Sequence, residues 1–185
     1  MNKHVLLLAI LALLLVSCSS KVGQEVHGTI TTENVGFLLA PSEVDEHGRD
    51  GLSVYGDVVS FMDRAQESGA DIKNIEEWVG IDFAESVDGA RFNFSLLDMV
   101  DPESANARFS SLSEEFLLVE SDQQIGERFA GLAPKIGNLD TVVIFLVRDK
   151  VALMTTTTSF TEHSPLMTSE QLVEIARLIA PRIIP

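Results

Sequence analysis

The chain has 185 residues, with 13 Lys and Arg against 28 Asp and Glu, for a formal net charge of −15. That length fits a single domain. The acidity argues against nucleic acid, whose binders draw most of their affinity from basic patches, and against docking on anionic headgroups through surface charge. The lone cysteine, Cys18, excludes an internal disulfide, so stability must come from core packing.

In chain order, Lys3 lies in a short polar start, and Val5 to Val16 then runs for twelve apolar residues. A helical span of a bilayer needs about 20 residues, so this run has the length of a signal-peptide core instead. It ends in Leu15-Val16-Ser17-Cys18. A branched apolar residue, a tolerant position, a small residue and then cysteine together resemble the lipobox of bacterial lipoproteins. The resemblance implies that residues 1–17 are a signal peptide and that Cys18 carries a diacylglycerol thioether on the extracytoplasmic side. Ser19 stands where Asp would retain the protein, which implies the outer membrane where the host has one, and otherwise the outer face of the cell membrane. Loss of residues 1–17 takes away one cation, Lys3, and leaves −16. Two or three acyl chains anchor firmly where one does not, since each buried methylene adds about 0.8 kcal/mol.

Residues 18–25 read as the lipidated cysteine and a polar tether, and 26–185 as one globular domain. Thr29 to Leu39 is rich in β-branched and apolar residues and predicts one or two strands. Pro41 to Gly51 reads as an acidic loop. Ser53 caps a predicted helix to about Gln66, with Val54, Val58, Met62 and Ala65 on one stripe. A second helix is predicted over Asp71 to Val79, with Trp78 as a core anchor.

Arg91 to Val100 predicts a strand, with Phe92, Phe94 and Leu96 alternating against Arg91, Asn93 and Ser95. Asp101-Pro102 is a strong helix start: Asp caps well, and Pro at the first helical position has no amide proton to lose. Ala105, Phe109, Leu112 and Phe116 then mark one stripe. Asp122 to Gly137 reads as loop with a helical turn near Gly126 to Gly131. Thr141 to Val147 and Val151 to Thr158 predict two strands around Arg148-Asp149-Lys150, the first apolar enough to be covered on both faces. Thr168 and Gln171 make a capping box for the last helix, whose stripe is Leu172, Ile175, Ala176, Ile179 and Ile183. Pro181 ends or kinks it.

A hairpin cannot give a parallel pair, so the expected fold is α+β: a single antiparallel or mixed sheet with flanking helices. The order of strand, Asp-Pro helix, hairpin and Ser169 to Arg177 helix, over about residues 90–184, resembles small exported lipoproteins with a PsbP/Mog1-like sandwich. That resemblance transfers no functional residue.

Motifs for chemistry are sparse. Gly51-Leu52-Ser53-Val54-Tyr55-Gly56 misses the spacing of a nucleophile elbow, and the motifs HExxH, CxxC, GxGxxG and GxxxxGK[ST] do not occur. The sequence therefore offers no catalytic residue, metal site or cofactor. His27, His47 and His163 stand far apart, whereas zinc needs three or four converging ligands. Asp45 to Asp50 places carboxylates on a glycine-bent loop that could take a hard cation, although Arg49 breaks the EF-hand pattern. Thr155 to Thr158 alternates along a strand and so does not form one binding row.

The function expected from these features is a membrane-anchored envelope lipoprotein acting by binding a protein partner or small ligand, without nucleic acid. The competing expectation is an extracytoplasmic hydrolase with carboxylates assembled by the fold, which sequence spacing alone would not reveal.

Overall fold

In a computed structural model, the structure describes residues 22–47, 55–84, 89–131, 139–157 and 165–184. Its centre is a seven-stranded antiparallel sheet. The strands are β2 (Tyr55–Ser60), β3 (Ile75–Ala84), β4 (Arg91–Met99), β5 (Val119–Ser121), β6 (Arg128–Gly131), β7 (Leu139–Val147) and β8 (Lys150–Thr157), in the spatial order β2-β3-β4-β8-β7-β6-β5. A separate parallel pair joins β1 (Val26–His27) to β9 (Ile183–Ile184), so the two ends of the domain are zipped together. The α+β class expected from the hairpin is what the strands form.

Both faces of the sheet are covered, because successive side chains of each strand point to opposite sides. On one face, Val79, Ile81, Phe83, Phe92, Phe94, Phe145 and Met154 are buried with the N-terminal segment (Val26, Ile30, Val35, Leu38, Leu39) and with helix α4 (Ser169–Ile179). On the other, Leu97, Val151, Ile144 and Leu146 are buried against Ala105, Phe109 and Leu112 of α3 (Pro102–Glu115). β7 feeds both cores, which is why it reads as a continuous apolar run.

The end signals of these two helices work as expected. Asp101 Oδ1 accepts the Ser104 N–H at 2.6 Å with Pro102 behind it. Thr168 and Gln171 exchange the bonds of a capping box. The β7–β8 hairpin turns through Arg148, which adopts φ 56° where the sequence lacks glycine.

The N-terminal half departs from the sequence reading. Thr29 to Leu39 forms turns and a 3-10 turn at Val35–Phe37 instead of strands. Thr31 N–H donates to Asn34 Oδ1, and Glu33 N–H to Thr31 Oγ1. Such local side-chain bonds compete with sheet ladders. The predicted loop from Pro41 begins as a helix, α1 (Pro41–His47). Pro41 takes its first position, and Glu43 reaches back to the Ala40 N–H at 3.0 Å.

The predicted helix from Ser53 is instead β2 followed by the short α2 (Met62–Ser68), ended at Gly69 with φ 71°. Val58 and Val59 suit a strand, and pairing with Ile81 and Gly80 decides it. The predicted helix over 71–79 is a turn followed by β3. There Val79, Ile81 and Phe83 alternate into one core, and a bulge between Ile75 and Glu77 turns Ile75 to the other face. Trp78 is consequently half-buried beside Phe61 on the α3 face, with ring centroids 5.6 Å apart. Gly126 to Gly131 is not a helical turn: Gly126 takes φ 63° and the chain enters β6.

Candidate functional site

The expected polar sites fall only partly within the described residues. Cys18, Ser53, Thr158 and His163 lie outside the described residues. Of the Asp45 to Asp50 segment, Asp45 belongs to α1, so the segment begins as helix and not as a glycine-bent loop; residues 48–50 lie outside the described residues. His27 is exposed and stands 3.9 Å from Glu25. Thr155 and Thr157 are half-buried on one face of β8, and Thr156 is buried on the other. Among the described residues, no group of three or more His, Cys, Asp or Glu is placed to hold a metal ion, and no helix is long and apolar enough to cross a membrane.

The ionisable groups that are buried serve the fold. Lys150 Nζ lies 3.2 Å from Asp98 Oδ1 and 2.9 Å from Asp149 Oδ1. Burial pushes its ammonium down, but the hydrogen bond it donates to Asp149 and the charge of Asp98 outweigh that and hold it above the ordinary lysine value. Arg182 makes a two-pronged bond to Glu43, at 2.7 and 3.0 Å, and also donates to Leu38 O at 2.9 Å. Gly23 N–H donates to the same carboxylate at 2.9 Å. This clasp ties the first described residues to the last.

A different group of charges is unused. Among the described residues, Arg64, Lys73, Arg108 and Arg148 are the Lys and Arg whose side chains make neither an ion pair nor a hydrogen bond; the others are held by Asp, Glu or Gln. Two of the four, Lys73 and Arg108, line one cleft of about 200 Å³ between α3 and the turn at 71–74. The Arg108 Nε atom is buried without a hydrogen-bond partner, where buried polar atoms in general find one.

The cleft follows from sequence. Ser104, Arg108 and Ser111 recur at i, i+4 and i+7 along α3, beside the stripe of Ala105, Phe109 and Leu112 that buries the helix. The opposite wall is set by Asn74, held at φ 63°, whose carbonyl accepts the Val100 N–H at 3.1 Å. Asp71 also lines the cleft, and its Oδ1 accepts the Lys73 N–H at 3.1 Å, which braces the turn. The result is a small hollow whose lining includes two cations, two hydroxyls and one carboxylate beside Asn74, Met99 and Ala107. Its chemistry suits an oxyanion: guanidinium and ammonium donors pair with carboxylate or phosphate, and guanidinium does so in a fixed fork. Sequence reasoning missed it because Lys73 and Arg108 are 35 positions apart and match no motif.

A second hollow, of about 430 Å³, lies between the 124–127 turn, Arg148 and the C-terminal turn. Its walls include Ile125 and Pro181. Arg177 there already donates to Gln123 at 3.0 Å, which leaves Arg148 as the one unpaired cation of its lining, against two in the first cleft. It is therefore the poorer anion site.

No protein-family model matches the chain, and no curated protein matches it. Among solved structures it is similar to the extracellular domain of PknH from Mycobacterium tuberculosis, with a TM-score of 0.49 and 12% identity over 85% of this chain and 98% of that one.

Proposed function

We propose that this chain is an envelope lipoprotein, held on the extracytoplasmic side by lipid on Cys18, whose domain binds a small anionic ligand in the Lys73–Arg108 cleft without turning it over. The carrying observation is Arg108, which lines the cleft without an ion pair and whose Nε is buried with no partner, on a chain of net charge −15. A cation left unpaired amid an excess of acids implies a partner supplied from outside. The PsbP/Mog1-like resemblance belongs to the same reading, since it too implies an exported domain with a helix-covered sheet.

Binding without turnover is favoured by what lines the cleft: among the described residues it has no histidine and one carboxylate, Asp71, already accepting an N–H. General acid–base work asks for a group within reach whose affinity for protons is tuned to the task. A hollow lined by two glutamates, Glu170 and Glu174, fails differently. Glu170 is exposed, and bonds from its own N–H, Thr168 and Ser169 hold its carboxyl below the usual range, the wrong direction for a general acid.

Two measurements test the proposal. Calorimetric titration of the mature lipidated protein with inorganic phosphate, sulfate and acetate should give saturable binding that weakens with added salt. Arg108→Gln should weaken it about tenfold, the scale of one lost charge-assisted hydrogen bond. Absence of binding for all three anions would overturn the ligand reading. Mass spectrometry should find residues 1–17 removed and diacylglycerol on the Cys18 sulfur; an intact N-terminus would overturn the anchor.

A further inference from the structure

Exposed apolar side chains are concentrated where the tether enters the domain. Val22 is 57% exposed, Phe37 55% and Val58 45%, three of the six large hydrophobics that the described residues leave in water, and Phe37 is the aromatic one. They are neighbours. Val22 and Phe37 line one shallow depression with Gln24 and Gly36. The Gln24 N–H donates to Phe37 O. A Cβ placed on Gly36 would lie 3.7 Å from Val58 Cγ2. The backbone under them is fixed, since Gly23, Leu38 and Glu43 all belong to the clasp closed by Arg182.

We infer that Val22, Phe37 and Val58 form a patch that rests on the lipid surface and orients the domain there, an inference that rests on the lipidation of Cys18 proposed above. The occupant is set by the length of the tether. Four peptide units separate Cys18 from Val22, a reach of at most about 14 Å. A lipidated Cys18 therefore holds the bilayer surface within that distance of the patch. An apolar patch kept beside lipid enters the headgroup boundary through its buried area.

Charge does not assist. Glu25 and Glu33 are the exposed acids of the same segment, and the nearest cation in sequence is Lys21. The contact is accordingly with a zwitterionic surface, through apolar area. The N-terminal segment covers the α4 face of the sheet and the Lys73–Arg108 cleft opens on the α3 face. The cleft is thereby turned away from the lipid.

The test uses the mature lipidated protein in phosphatidylcholine vesicles carrying bromine on their acyl chains. Phe37→Trp is compared with Val119→Trp, on edge strand β5 across the sheet from β2, where Val119 is 70% exposed; the unaltered protein gives the Trp78 baseline. The added emission of Phe37→Trp should fall at least twofold on bromolipid, and that of Val119→Trp should not change. Flotation with unquenched Phe37→Trp overturns the patch and leaves the anchor standing. Unquenched but blue-shifted emission does the same, and places a second copy or another protein on Phe37. Failure of the native protein to float overturns the anchor and the patch with it.

Discussion

Asp98 and Lys150 face each other across the β4–β8 pair, 3.2 Å from Oδ1 to Nζ, with side chains 4% and 5% exposed. The second Asp98 oxygen accepts the Ile30 N–H at 3.1 Å. The pair therefore joins the sheet to the N-terminal segment that lies over it. A buried ion pair adds little over well-packed apolar residues, but removing one partner strands the other charge. Lys150→Met leaves Asp98 with only a backbone donor and should cost about 3–5 kcal/mol by urea denaturation. The double variant Asp98→Leu with Lys150→Met should recover most of that loss. A single-variant cost below about 1 kcal/mol would mean that the charge finds water there.

The Glu43–Arg182 clasp gives the fold a defined response to acid. Burial raises the Glu43 carboxyl, but Arg182, the N–H groups of Ala40 and Gly23, and the arginine charge together bring it below its ordinary 4.5. A carboxyl lowered by folding stabilises the native state above its unfolded value, and that contribution is lost as pH falls through its folded value. Glu43→Gln should thus be destabilising at neutral pH, and the gap in Tm from wild type should close as pH drops below 4.5. Thermal melts from pH 3 to pH 7 check this; a gap that is constant across the range would rule out a titrating clasp.

Which parts of the fold were legible follows from how local their causes are. Asp101-Pro102 and the Thr168–Gln171 box carry their own hydrogen-bond partners within three residues, so the two long helices announce themselves. β7 is legible because both its faces are buried. Val54 to Ala65 is not, because a helical stripe and a β-branched pair overlap there, and the choice is made by β3, some twenty residues on. The candidate cleft was invisible for the same reason. Only the packing of α3 against the 71–74 turn brings Arg108 and Lys73 together.

Gly80 shows how closely that β3–β4 pairing is built. A Cβ there would meet Phe94 O and stand 2.8 Å from Ser95 Cα and 3.0 Å from the Phe61 ring. Two of those three obstacles are backbone and cannot swing aside. Gly80→Ala should cost about 3 kcal/mol, at the upper end of overpacking. Gly36→Ala, whose Cβ would meet only Val58 at 3.7 Å, is the control and should stay within about 0.5 kcal/mol. Equal effects in denaturant melts would disprove the steric account.

Arg108 separates binding from folding. It donates to nothing from its Nε and pairs with no acid among the described residues, so its loss removes no hydrogen bond or ion pair of the fold. Arg108→Gln should leave the stability of the ligand-free protein within about 0.5 kcal/mol of wild type, as for substitutions away from caps, cores and networks. An anion that binds only the native state adds RT ln(1 + [L]/Kd), about 2.7 kcal/mol at a hundredfold excess over Kd. Wild-type Tm should therefore climb with phosphate or sulfate concentration, and the Arg108→Gln curve should stay flatter. Parallel climbs in the two proteins would mean that the anion acts on the solvent or elsewhere on the surface, and that the cleft does not bind it.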